Sequence, residues 1–167
     1  MYIIALKGTP NSGKTSSIKF LILQMLKLSD IKIIYSSKFS KRKAEVVQFS
    51  KAILNPWDGK TAGLDISVLL EYKRKRIYIT SNGDCIKDIL RNLDNVTRRY
   101  GDIDICVCGR HKCNVEKIEF SVYSPKVLEP VFKEKTIGGD FDKENEKTGL
   151  ELFKRVKKCL EEMLQND

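Results

Sequence analysis

A short apolar run that stops at a glycine and is followed at once by a helical face constrains this chain more than any other feature. Tyr2 to Lys7 reads as a β-strand closed by Gly8, and Ile18, Leu21, Ile22 and Met25 recur at the i, i+3, i+4, i+7 spacing of one helix face. Ile31 to Ser36 is a second strand-like run. Strand, helix and strand in so short a stretch predict a βαβ unit, whose right-handed crossover joins parallel strands.

The remainder of the chain continues the alternation. Asp65 to Tyr72 and Arg76 to Thr80 predict two strands joined at Lys73-Arg74-Lys75, a β-hairpin. Ile86, Ile89, Leu90 and Leu93 mark a second helix that ends near Gly101, and Ile103 to Cys108 a further strand. Val127 to Phe132 predicts a strand that Pro130 confines to a sheet edge. Phe153, Val156, Leu160 and Met163 place a closing helix over Glu151 to Leu164. Residues 37–64 hold Lys41-Arg42-Lys43, an ambiguous apolar stretch from Val46 to Leu54 and a turn-like Asn55-Pro56-Trp57-Asp58-Gly59; Asn114 to Ser124 is open between helix and strand. No repeat or Pro/Ser linker divides residues 1–167, so a single three-layer α/β domain is expected.

Between the first strand and first helix, Gly8-Thr9-Pro10-Asn11-Ser12-Gly13-Lys14-Thr15 fits GxxxxGK[ST] at every specified position. Gly8 and Gly13 let the backbone wrap an anion with its N–H groups pointing inward, and the helix beginning beyond Gly13 adds the positive end of its dipole. Lys14 suits the β- and γ-phosphates as a point charge, and the Thr15 hydroxyl suits Mg²⁺. On these residues the chain resembles the P-loop NTPase superfamily, closely over residues 2–36 and elsewhere only through the α/β order. The resemblance implies a P-loop NTPase fold with a mainly parallel sheet, and a nucleotide site made of Gly8, Thr9, Pro10, Asn11, Ser12, Gly13, Lys14, Thr15 and Ser16, with Lys14 also catalytic. It implies ATP with Mg²⁺; no N-K-x-D run is present, which favours ATP and leaves GTP open.

The resemblance also implies a carboxylate from the C-terminal end of a neighbouring strand. Asp84 follows the Arg76 to Gly83 run and precedes a helix, so it suits either Mg²⁺ or the helix N-cap. Asp65 is the second metal candidate, because a turn at Lys73 to Lys75 places it across from Gly83 and so at the same sheet edge. Asp104 lies at the opposite end of its strand and is expected to be structural. Arg110, His111 and Lys112 follow the Ile103 to Cys108 strand and are expected at the nucleotide edge, with Arg110 stabilising charge during phosphoryl transfer. Cys106 and Cys108 alternate within a strand and are expected to pack as small buried hydrophobes.

Charge enters the argument through its distribution. The chain carries 31 Lys+Arg against 22 Asp+Glu, a net +9. Residues 1–60 hold 11 basic and 3 acidic residues, residues 61–120 hold 11 and 9, and residues 121–167 hold 9 and 10, so the excess sits with the glycine loop and the Lys38 to Lys43 run. That pattern points to a nucleoside triphosphate and an anionic small-molecule acceptor. Apolar runs such as Ile3 to Leu6 are far below the roughly 18 residues of a membrane span, and the N-terminus lacks a basic, cleavable leader, so a cytoplasmic, membrane-free protein is expected. Five cysteines without an export signal fit reduced thiols. Three functions stay open: a kinase-like phosphotransferase or NTPase, an ATP-dependent module whose client is a nucleic acid, and a slow nucleotide-sensing switch.

Overall fold

The computed structural model describes residues 1–40, 43–46, 54, 64–82, 86–111, 126–135 and 138–166. Among them are eight strands and three helices, in the order β1 (Tyr2–Gly8), α1 (Lys14–Met25), β2 (Ile31–Ser40), β3 (Lys43–Val46), β4 (Asp65–Tyr72), β5 (Lys75–Thr80), α2 (Ile86–Tyr100), β6 (Ile105–His111), β7 (Lys126–Val127), β8 (Val131–Lys133) and α3 (Phe141–Gln165).

All strands join one mixed sheet in the order β3-β2-β4-β5-β6-β1-β7, with β8 also pairing β1. Parallel pairing occupies the half around β1, where β6, β7 and β8 run alongside it and β5 runs alongside β6. The other half, β3-β2-β4-β5, is antiparallel. The expectation of a mainly parallel sheet therefore holds for one half. β1 and β2 do not form a neighbouring βαβ pair: β6, β5 and β4 stand between them, because the local periodicity of a strand carries no signal for which strand it will adjoin.

Alternation along each strand divides the core in two. Ile4, Leu6, Ile66, Val68, Leu70, Ile77, Ile79, Ile105 and Val107 face α1 and α3, meeting Ile18, Leu21, Ile22, Met25, Leu152 and Val156. Ile3, Ala5, Leu69, Tyr78, Cys106 and Cys108 face α2, meeting Ile89, Leu93 and Val96. The chain is thus a three-layer α/β protein. Cys106 and Cys108 are free and buried, as their spacing predicts, and a hydrogen bond donated by the Cys106 thiol to Cys108, together with burial, holds that thiol protonated. α2 stops at Gly101, whose φ of 88° is a left-handed conformation that glycine adopts without penalty and whose N–H bonds back to Thr97 O at 2.8 Å.

Several boundaries move. The β4–β5 turn is two residues, not three: Tyr72 faces Lys75 and Ser67 faces Thr80, while Lys73 and Arg74 both take left-handed φ values of 48° and 68°. This is the backbone of a primed hairpin turn, built without its preferred Asn-Gly. The predicted strand at Val127 to Phe132 is split into β7 and β8 around Pro130, and both halves lie at the free edge of β1, where a residue without an N–H is tolerated. β6 extends through Arg110 and His111, which are strand residues and not the loop after it. α3 begins ten residues before the predicted Glu151, capped by Asp140, whose carboxylate accepts from the Asp142 and Lys143 amides at 3.2 Å each. Its first turns escape an apolar pattern because they bury Asn145, Thr148 and Gly149. Gly149 is needed for close approach: a Cβ there would stand 2.5 Å from Phe20 Cβ and 2.8 Å from the Ser17 carbonyl oxygen. Asp104 is structural, accepting the Arg76 amide at 2.7 Å.

Candidate functional site

The loop from Gly8 to Gly13 leaves the C-terminal end of β1 and turns onto the α1 face. It turns through two left-handed residues, Asn11 at φ 56° and Gly13 at φ 87°. Left-handed residues beside right-handed ones aim successive amides to one side and form an anion-sized concavity. Gly13 is also the N-cap of α1 and offers no side-chain acceptor, so the first amides of the helix stay available. Space matters as much as φ at this position, because Asn145 of α3 lies over Gly13 and a Cβ there would collide with its Oδ1.

Lys14 folds over the loop, donating from Nζ to the carbonyl oxygens of Gly8 at 3.1 Å and Thr9 at 2.8 Å. Thr15, one residue on, donates its hydroxyl to Asp65 Oδ1 at 3.0 Å. The same carboxylate oxygen accepts from Ser81 Oγ at 2.9 Å, and Ser81 Oγ in turn accepts the Ile66 amide at 2.9 Å. The start of β4, the residue following β5 and the first turn of α1 are tied together in this way. Thr15 and Asp65 present hard oxygen donors side by side, the type a hydrated Mg²⁺ takes. Ser12, 5% exposed, lies inside the loop with its Oγ lacking a hydrogen-bond partner among the described residues.

On the other side of β1, Lys133 ends β8 in register with Gly8. It is buried, and burial lowers its affinity for a proton, with Glu144 opposing that shift. Arg110 pairs with Lys7 across β6 and β1 at the same edge. By strand alternation it shares the face of Cys106 and Cys108, whereas the loop turns to the opposite face, toward α1. Burial lowers the Arg110 pKa while the neighbouring Cys108 raises it.

The structure thus brings together Gly8, Thr9, Asn11, Ser12, Gly13, Lys14, Thr15 and Asp65, with Pro10 at the loop's turn and Ser16 in the first turn of α1. Asp84, the first metal candidate, lies outside the described residues, as do Lys41, Arg42, Lys112, Cys113, the Asn55 to Gly59 turn and the ambiguous Asn114 to Ser124 stretch. Among the described residues, no group of three or more His, Cys, Asp or Glu side chains is placed to hold a metal ion, and no helix is long and apolar enough to cross a membrane.

No family model, curated protein or solved structure matches the chain.

Sequence reasoning passed over three residues of this site. Ser81 carries no motif, and its role emerges only from the hairpin register. Asn145 sits in the polar opening of α3, for which a signal existed: Gly138-Gly139-Asp140 is a turn followed by an N-cap, with Asp142 and Glu144 in the first turn. Lys133 follows the expected edge strand by one residue and reads from sequence as ordinary surface charge.

Proposed function

We propose that the chain is a P-loop protein that binds a nucleoside triphosphate with Mg²⁺ and transfers or hydrolyses its γ-phosphate, with ATP as the favoured nucleotide. The observation that carries this reading is the 3.0 Å hydrogen bond from Thr15 to Asp65, immediately after a GxxxxGK loop. A hydroxyl and a carboxylate from distant parts of the chain meet where a loop motif of this type calls for a metal-bound triphosphate. The unpartnered Ser12 hydroxyl and the uncapped start of α1 add donors that an anion would satisfy.

In this reading the loop amides and Lys14 hold the β- and γ-phosphates, which requires Lys14 to exchange the Gly8 and Thr9 carbonyls for phosphate oxygens. Thr15 and Asp65 hold Mg²⁺, directly or through water, and the bound ion supplies neutralisation of phosphate charge. The phosphoryl acceptor is an anionic small molecule or water. A three-layer P-loop NTPase fold and a cytoplasmic setting belong to the same proposal.

Calorimetric titration with Mg-ATP and Mg-GTP tests it. Wild type is expected to bind at micromolar levels and Lys14→Ala at least tenfold more weakly, about 1.4 kcal/mol. Equal binding at millimolar levels or weaker by both proteins would overturn the reading. Incubation with γ-labelled ATP and pooled nucleosides, nucleotides, sugars and nucleic acids then separates transfer to a small molecule from phosphate release.

A further inference from the structure

We propose that Lys133 is a second phosphate-contacting lysine, engaging the bound triphosphate from the β8 side of the Gly8–Thr15 loop, across β1 from Asp65. The inference rests on the triphosphate reading above and adds to it a residue that no motif marks.

Lys133 belongs to the wall of the loop. It is in register with Gly8, and a Cβ on Gly8 would stand 2.5 Å from the Lys133 carbonyl oxygen and 3.4 Å from its Cβ. Strand alternation sends its side chain to the same face as Val131 and Leu6, the face onto which the loop turns. The residue is only 5% exposed, and among the described residues its ammonium makes no hydrogen bond or ion pair. The charged groups of α3 that act on it are Glu144, which favours the ammonium, and Lys147, which opposes it. An ammonium that no protein acceptor engages is free for a ligand, and phosphate oxygens are the acceptors such a group matches best.

The surroundings narrow the assignment to this side chain. A cavity of about 540 Å³ is lined in part by Lys133, Asp140, Lys143, Glu144 and Thr148. The N-terminus of α3 borders that cavity but is already satisfied: Asp140 accepts the amides of Asp142 and Lys143 and pairs with Lys143 Nζ at 3.4 Å. Thr148 is satisfied as well, donating to Glu144 O at 2.8 Å. Lys133 is left as the cation that lines the cavity and also adjoins the loop at Gly8. A phosphate there would lie between Lys14 and Lys133, neutralised from both flanks.

The test is titration of wild type, Lys133→Met, Lys133→Arg and Lys14→Ala with Mg-ATP and with adenosine. Lys133→Met is expected to weaken Mg-ATP about tenfold and leave adenosine unchanged, with most of the loss restored in Lys133→Arg. Mg-ATP binding by Lys133→Met at the wild-type level, with Lys14→Ala defective, overturns the role of Lys133 and leaves the triphosphate reading standing. Mg-ATP binding at millimolar levels or weaker by wild type and Lys14→Ala alike overturns the triphosphate reading and this inference with it. A measurement on unmodified protein guards against misfolding of the variants: acetic anhydride labelling of Lys133, read by mass spectrometry, should fall about fivefold on saturation with Mg-ATP and stay constant with adenosine. Labelling that Mg-ATP leaves unchanged also overturns the proposal.

Discussion

Thr15 and Asp65, fifty positions apart in the chain, share a hydrogen bond of 3.0 Å, and Ser81 completes the triangle from the far strand of the β4–β5 hairpin. The carboxylate is held by two hydroxyl donors on a single oxygen, Oδ1, so its orientation is set before any ligand arrives. Asp65→Asn keeps an acceptor for both hydroxyls but removes the charge. It is expected to leave the melting midpoint near that of wild type while weakening the Mg²⁺ dependence of ATP binding about 10- to 100-fold. Magnesium titration at fixed ATP reads the difference, and an unchanged Mg²⁺ midpoint would remove Asp65 from the metal site.

Gly13 is constrained twice, by its φ of 87° and by Asn145 above it. Gly13→Ala is therefore expected to cost about 1–2 kcal/mol from the left-handed backbone alone, with a further steric part. Combining it with Asn145→Gly relieves only the steric part. Urea denaturation of the two single variants and the double should give a coupling energy above about 0.5 kcal/mol; additive costs would show that Asn145 does not press on the loop.

Tyr78 offers a pH signature. Its hydroxyl donates to Ser67 Oγ at 3.2 Å inside the α2-facing core, and burial raises its pKa well above the ordinary phenol value of 10.0. The folded state thus holds this proton more tightly than the unfolded chain does. The stabilisation is complete below pH 10, and it declines as the pH climbs from there toward the folded-state value. Wild type is expected to lose stability above about pH 10, with a shallower decline in Tyr78→Phe. At neutral pH the same substitution should cost about 1 kcal/mol for the lost hydrogen bond. Parallel alkaline curves for the two proteins would contradict this account.

The β4–β5 turn is open to improvement. Lys73 and Arg74 occupy two left-handed positions that Asn-Gly fills with less strain. Replacing the pair by Asn-Gly should stabilise the protein by about 1 kcal/mol, a rise of about 2–4 °C in Tm for a domain of this size. A lower Tm would mean that the contact of Lys73 Nζ with the Tyr72 ring, 5.4 Å from its centroid, outweighs the backbone strain.

What could be read from the residues follows from how local each signal is. β1, its closing glycine and the α1 face are legible because Ile18, Leu21, Ile22 and Met25 form an uninterrupted period, and all four are fully buried. The β4–β5 hairpin is legible for the same reason, its turn misjudged by one residue because Lys-Arg is not a sequence sign of two left-handed positions. The place of β2, three strands removed from β1, depends on long-range pairing that no local window holds. The opening of α3 carries a capping signal at Gly138-Gly139-Asp140 but no apolar period, because the residues it buries there are Asn145, Thr148 and Gly149, chosen for closeness to the loop and to α1 and not for hydrophobicity. Asp65 was reachable through hairpin geometry; Lys133 and Asn145 were not, since each becomes part of the site only when β8 and α3 dock beside β1.

The position of β1 in the sheet also has a consequence during synthesis. Each of its three pairing partners, β6, β7 and β8, lies C-terminal to Tyr100. Tyr2 pairs with Ile105, a separation of 105 − 2 = 103 residues. At about 5–20 residues per second, β1 therefore spends about 5–20 s outside the ribosome before its first neighbour exists. Throughout that interval the Ile3-Ile4-Ala5-Leu6 segment is an apolar strand with both edges open, the kind of segment that nascent-chain chaperones cover and that aggregates when they do not. The glycine loop gains its neighbours only after this wait, so the candidate site is among the last parts of the protein to form.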